Sequence, residues 1–256
     1  MDWIIGGTKD SRDFIENILK LKKNIIVTTI SEYGKKLLEK YEINVIVKSM
    51  KKEEMQEFIE KNKIKRIFDF SHPYAVNVSK NAIEIAKINY IEYFRFNRKT
   101  YNYKECIEFN EIEKLVRFTS TLEGNILNTL GSNSVEKFGN LKNLENIYFR
   151  ILPTKLSIEK VENIGVLPKK IIGIQGPFTK EFNSFIYKNY SIKYLITKES
   201  GDIGGEKEKI ETALENKIKV LVLTKPVINY PWGTDDMEII LEKFKENIGD
   251  ENEKTF

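Results

Sequence analysis

The sequence predicts an α/β protein of two domains, each built on a mainly parallel sheet, with an inter-domain cleft as the expected place for ligands. Three observations lead there. Short Ile/Val-rich runs alternate with helix-length amphipathic segments, the pattern of strand-helix units feeding a sheet buried on both faces. The series occurs twice along the chain. Glycine, proline and hydroxyl residues gather where the strands of both series end.

In the first series, residues 3–5 form the first strand, and Phe14, Ile15, Ile18 and Leu19 then fall at helical spacing. Residues 24–30 read as the second strand, 31–41 as a helix, 43–47 as the third strand and 51–62 as another helix. The fourth strand is 66–70. A helix with Val78, Ala82, Ile85 and Ala86 on one face follows, then a strand at 91–96. The second series places strands at 126–130, 147–152, 170–174, 193–196 and 219–223, with helices between them. Residues 101–123 are less periodic and hold at least one short strand. The expected domains are therefore 1–121 and 122–256, with the junction near Thr121 and the amphipathic segment 236–247 able to pack on either.

Composition narrows the function. A chain of 256 residues, 41% hydrophobic and 31% charged, is too apolar for disorder. Its 42 basic and 38 acidic residues leave +4, spread along the chain, which favours anionic small ligands over nucleic acid. Lys20, Lys22, Lys23, Lys51 and Lys52 lie among glutamates and read as solvated helix faces. No apolar run approaches the roughly 20 residues of a membrane span and the start lacks a secretory pattern, so a soluble cytoplasmic protein is expected. With Cys106 and His72 as sole representatives of their types, neither a disulfide framework nor a Cys/His zinc site can be assembled, and no metal site is expected.

The first strand runs into Gly6-Gly7-Thr8-Lys9-Asp10-Ser11-Arg12 and then a helix, where an α/β domain presents backbone N–H groups to a phosphate. The glycines permit close approach, Thr8 and Ser11 carry hydroxyl donors, and Arg12 can neutralise an anion. The motif is not G-x-G-x-x-G, and a structural turn with Ser11 or Asp10 as helix cap fits the same letters. No acid occupies the end of the second strand. There Ser31, Tyr33, Lys35 and Lys36 tolerate a ribose 2′-phosphate, while Glu32 keeps a free ribose open; NADPH is favoured and NADH admitted.

The fourth strand ends in Asp69-Phe70, and Ser71-His72-Pro73-Tyr74-Ala75 turns the chain at the carboxyl edge of the sheet. His72 and Tyr74 are either structural or placed to shape a pocket and handle a proton. Arg95 and Arg98 flank the end of the fifth strand, as carboxylate clamps or as edge solubilisers. In the second half, Thr129 to Ser132, Gly176-Pro177-Phe178 and Thr197-Lys198-Glu199-Ser200-Gly201 each follow a strand, and Gly204-Gly205-Glu206-Lys207 opens a helix.

The set GGTKDSR, FDFSHPYA, FRFNR, TLGS, FRILP, QGPFTKEFN and TKESGDIGGEKEKI, in this order from residue 4 to about 226, resembles the precorrin-6A reductase family, including the cobalt-precorrin-6A reductases. The resemblance implies two Rossmann-like domains, with a nicotinamide cofactor and a corrinoid precursor meeting in the cleft. The implied reaction reduces one macrocycle double bond during cobalamin biosynthesis: hydride comes from the cofactor, and a proton is added at the neighbouring carbon. Gly6, Gly7, Thr8, Ser11 and Arg12 match the family's first loop, and His72, Pro73, Tyr74 and Ala75 its second. Ser200 and Gly201 join the cofactor set. Arg95, Arg98, Gly176, Pro177, Phe178 and Lys198 fall to a polycarboxylate substrate, and His72, Tyr74 or a bound water to the proton. Lys99 and Tyr101 stand where proline and tryptophan are frequent, and Lys225-Pro226 replaces a common Arg-Pro, which loses the bidentate fork. The same loops also suit a reductase of another conjugated carboxylate-bearing compound, or a nucleotide sensor that reduces nothing. Oligomeric state is left open.

Overall fold

A computed structural model of the chain describes residues 1–21 and 24–246. Lys22 and Lys23 of the basic run, and Asn247 at the end of the last amphipathic segment, lie outside the described residues. The chain forms two compact units, one of residues 99–225 and the other of residues 1–98 joined by the segment from Pro226 onward.

The first unit alternates β1 (Asp2–Ile5), α1 (Lys9–Ile18), β2 (Ile25–Thr29), α2 (Glu32–Lys36), β3 (Asn44–Val47), α3 (Lys52–Asn62), β4 (Arg66–Asp69), α4 (Val76–Ile88) and β5 (Glu92–Phe96). The second holds β6 (Ile107–Phe109), α5 (Ile112–Thr119), β7 (Asn125–Asn128), β8 (Ile147–Ile151), α6 (Lys155–Asn163), β9 (Ile171–Gly173), α7 (Lys180–Asn189), β10 (Ile192–Lys198), α8 (Glu206–Glu215) and β11 (Lys219–Leu223). The chain then returns to the first unit with β12 (Gly233–Thr234) and α9 (Met237–Lys245).

All strand pairs are parallel, in the orders β12-β5-β4-β1-β2-β3 and β6-β11-β10-β7-β8-β9. The strands carry apolar residues on both faces because both faces are covered. In the first sheet Ile4, Val27, Phe68 and Phe94 join Phe14 of α1 and Phe244 of α9, while Trp3, Ile26 and Ile67 join Met55 of α3 and Ala82 of α4. Arg66 anchors α9: it donates to both carboxylate oxygens of Asp2 and to the carbonyls of Lys243 and Phe244, which meets orphan acceptors at a helix end.

One domain expectation needs correction, and one open choice closes. The junction lies between residues 98 and 99, not near Thr121, because β6 pairs with β11 (Leu221 beside Ile107) and draws its neighbours into the second unit. The final segment belongs to the first unit, where Gly233 pairs with Arg95 and the apolar face of α9 completes the core. Such parallel pairings join segments far apart in sequence, so no local pattern announces them. The helix expected over 31–41 stops at Lys36, with Gly34 inside it and a separate 3-10 turn at Glu39–Tyr41.

Candidate active site

The first loop is shaped by close packing beneath β1. A Cβ on Gly6 would meet Val27 Cγ1 at 3.1 Å, and Gly7 has φ +97°, a conformation that side chains disfavour. Thr8 is the N-cap of α1: its Oγ1 accepts from Ser11 N at 3.2 Å and donates to Phe70 O at 2.9 Å. Ser11 Oγ donates to Thr8 O at 2.8 Å and accepts from Thr8 N at 3.2 Å. The two hydroxyls accept within a capping box and spend their own protons on the carbonyls of Phe70 and Thr8, rather than offering them to a phosphate. The structural turn weighed from the sequence is present, with Thr8 as its cap instead of Ser11 or Asp10. Arg12 Nη1 reaches Thr8 O at 3.2 Å, and Asp10 is gripped by Arg98 through Nε and Nη2, each at 2.8 Å.

The second loop hangs on a buried carboxylate. Asp69 Oδ1 accepts from Ser71 N and from Arg95 Nη1, each at 2.8 Å; Oδ2 accepts from Ser79 Oγ at 2.6 Å and Tyr93 Oη at 2.5 Å. Burial, then the charge of Asp69, pushes the Tyr93 phenol well above its ordinary range, so it stays a donor. Arg95 also donates to Ser71 Oγ at 2.8 Å and Ser71 O at 2.9 Å. Arg95 and Arg98, read from the sequence as candidate substrate clamps, are internal counter-charges, because each lies beside a buried aspartate. His72 Nδ1 accepts from Tyr74 N at 3.3 Å, and the two rings sit 5.8 Å apart.

Between these loops lies a pocket of about 200 Å³ at the carboxyl ends of β1, β2, β3 and β4. Of the residues singled out in the sequence for cofactor or proton, Gly6, Gly7, Thr8 and His72 line it. Ser31 does not; it caps α2 through Gly34 N, and Tyr33 beside it is exposed. Ser11, Arg12 and Tyr74 are likewise absent from the lining. One wall is apolar, with Trp3, Ile5, Met50, Met55 and Val78. The polar groups that sequence reasoning missed are Lys48, Ser49, Asn77 and Asn81. Applying the strand-end rule to the third strand would have found the first two. Lys48 Nζ pairs with Glu54 at 2.8 Å and holds that carboxyl below its usual range. No carboxylate lines the pocket among the described residues. An apolar wall, a glycine floor without side chains, a cation and side-chain amides fit a nucleotide cofactor.

In the second unit, Gly176-Pro177 is a cis peptide, and Phe178 stacks on Phe182 with ring centroids 4.8 Å apart. The guanidinium of Arg150 lies 4.6 Å from the Phe178 ring and donates to Asn183 Oδ1 at 2.8 Å. Lys198 closes β10 and is half-buried. The N–H groups of Ser200 and Gly201, expected to face a cofactor, both donate to Glu206 Oε2, at 2.5 and 2.8 Å. Burial raises the Glu206 carboxyl, and these two bonds oppose the rise. Glu206 joins Arg150 and Lys209 among the buried charges that the sequence reading passed over. Among the described residues no helix is long and apolar enough to cross a membrane.

Comparison with known proteins meets this geometry. The chain is 34% identical over 243 residues to the cobalt-precorrin-6A reductase of Methanocaldococcus jannaschii, covering 93% of this chain and 96% of that one. It is 32% identical over 232 residues to the cobalt-precorrin-6A reductase of Priestia megaterium, covering 89% and 91%. The solved structure of CobK precorrin-6A reductase shares the fold at TM-score 0.77 and 13% identity, over 96% of each chain. A family model described as Precorrin-6x reductase CbiJ/CobK matches residues 3–245. The chain is thus an oxidoreductase that belongs to the precorrin-6x reductase family.

Proposed function

We propose that the chain reduces cobalt-precorrin-6A to cobalt-precorrin-6B with NADPH, in the cytoplasm, as a step of cobalamin biosynthesis. The observation that carries this reading is the pocket at the carboxyl ends of β1 to β4, floored by Gly6 and Gly7, in a chain this close to curated cobalt-precorrin-6A reductases. A nicotinamide cofactor bound there supplies the hydride. Backbone N–H groups at the start of α1 suit its pyrophosphate. Lys48, which would turn from its pairing with Glu54 to the ligand, supports a 2′-phosphate and hence NADPH over NADH.

The chain's own contribution is positioning and a proton. Orientation in a fixed site supplies up to about 7–11 kcal/mol in well-aligned systems, and no activated nucleophile is required. Because His72 Nδ1 accepts from Tyr74 N, the ring in this geometry is neutral with its proton on Nε2, and its role is to orient the water that delivers the proton; direct donation by His72 would need the imidazolium, with that Nδ1 contact given up. Tyr74 holds that ring through its backbone N–H. The test is anaerobic oxidation of NADPH, and in parallel NADH, with cobalt-precorrin-6A and with metal-free precorrin-6A. Turnover with NADPH and the cobalt form is expected. Cofactor binding without turnover on either corrinoid would overturn the reading in favour of another conjugated substrate or of a sensor.

A further inference from the structure

We infer that the second unit carries an oxyanion subsite built on Arg150 and Lys209, which takes a carboxylate or phosphate of the small molecules that the enzyme handles. The identity of those molecules rests on the proposed function; the subsite rests on the geometry below.

The sheet register brings the two cations to one level. Ile196 of β10 pairs with Asn128 of β7, and Asn128 pairs with Phe149 of β8. Thr197 and Arg150, each one residue further on, therefore rise on the same face near the carboxyl edge, two strand spacings or roughly 10 Å apart. Lys209 reaches this row from α8, with Nζ 3.3 Å from Thr197 Oγ1. Both cations are buried, with residue exposures of 6% and 7%.

Neither has a carboxylate within ion-pair distance among the described residues. Arg150 donates one hydrogen bond, to the neutral Asn183, and lies against the Phe178 ring. The carboxylate nearest in sequence to Lys209 on the buried face, Glu206, turns Oε2 to the N–H groups of Ser200 and Gly201 and leaves Oε1 buried without a hydrogen-bond partner, so it acts on Lys209 through space without pairing with it. Burying a cation against neutral partners is strongly unfavourable, and burying two side by side more so. The strain is visible in the proton affinities: burial, and next the charge of Arg150, pushes the Lys209 ammonium down to about 7, while burial also lowers Arg150. An oxyanion between them would supply the missing charge, with the planar guanidinium fork on one side and the ammonium on the other. The Pro177 loop, whose Phe178 ring lies against Arg150, also approaches Gly205, where an added Cβ would lie 3.6 Å from Pro177 Cβ. The charged and titratable groups acting on Lys209 are Arg150 from β8, Lys198 from β10, and Glu206 and Glu208 from α8, with Tyr187 of α7 bonded to its carbonyl.

The test titrates the full-length protein with inorganic phosphate and with succinate, by calorimetry in buffers of differing ionisation enthalpy. Wild type should bind an oxyanion with uptake of up to about one proton at about pH 8 and far less at about pH 6, since the anion recharges Lys209. Arg150→Gln and Lys209→Met, with folding verified by circular dichroism, should weaken binding by about tenfold or more, and Lys209→Met should abolish proton uptake. Arg150→Lys should recover part of the affinity. In turnover, a rise in KM for the corrinoid with unchanged NADPH affinity assigns the subsite to a substrate carboxylate, and the converse assigns it to a cofactor phosphate. Folded variants with unchanged probe binding, corrinoid KM and NADPH affinity would overturn the inference. The titrations remain decisive even if wild type reduces neither corrinoid.

Discussion

Asp69 Oδ1 and Arg95 Nη1 lie 2.8 Å apart with both side chains sealed from solvent. The register of β4 and β5 sets them side by side, and the pair fixes Ser71 at the base of the His72 loop.

Asp69→Asn should therefore cost more stability than a surface change. It leaves Arg95 buried without a counter-charge, a situation that costs about 3–5 kcal/mol. Urea unfolding should show a lower midpoint with an unchanged slope. A loss below about 1 kcal/mol would mean that the pair is not energetically coupled.

Gly7→Ala tests the glycine floor. At φ +97° the added Cβ strains the backbone by about 1–2 kcal/mol without meeting a heavy atom closer than 3.9 Å. NADPH affinity should fall by about tenfold, with modest loss of melting temperature. Equal affinity in equilibrium titration would remove the first loop from the cofactor site.

Lys209 makes stability depend on pH in a defined window. Its folded value of about 7 lies below the ordinary 10.5, so between these limits the unfolded chain binds more protons. Stability contributed by this group rises as pH climbs through that range, and its penalty is fully present below about 7. Lys209→Met should be more stable than wild type at neutral pH by about 1–3 kcal/mol, with the difference closing toward about pH 10. Parallel denaturation curves at several pH values check the sign.

His72→Ala should slow single-turnover reduction by about 100-fold, the lower range for a positioned general acid, while leaving NADPH binding within about threefold. Near-normal reduction in both His72→Ala and Tyr74→Phe would pass the proton to another donor.

The central strands of both sheets were legible in the sequence because they are apolar on both faces and the longer helices that cover them carry an inner apolar stripe. The junction was not, since β12 is two residues long and is defined by its partner β5 rather than by its own letters. Gly6, Gly7 and His72 reached the pocket because position after a strand is readable. Thr8 and Ser11 illustrate the converse: a hydroxyl at a helix start reads alike whether it caps the helix or binds a phosphate. Arg95 resembled an edge arginine until register set it beside Asp69, 26 positions earlier. Lys209, amid Glu206, Lys207 and Glu208, looked like a solvated lysine, although it shares the buried side of α8 with Ile210 and Ala213.

The return of the chain to its first unit orders events during synthesis. Residues 99–225 are contiguous and can close their sheet once β11 has left the ribosome. The amino-terminal unit, although made first, lacks its sixth strand and the Phe244 that covers Phe14 and Phe68 until the last helix emerges. Its aromatic core thus stays unsealed on the growing chain until α9 has emerged, and a stall in translation past β11 would leave that core as the exposed surface that chaperones meet.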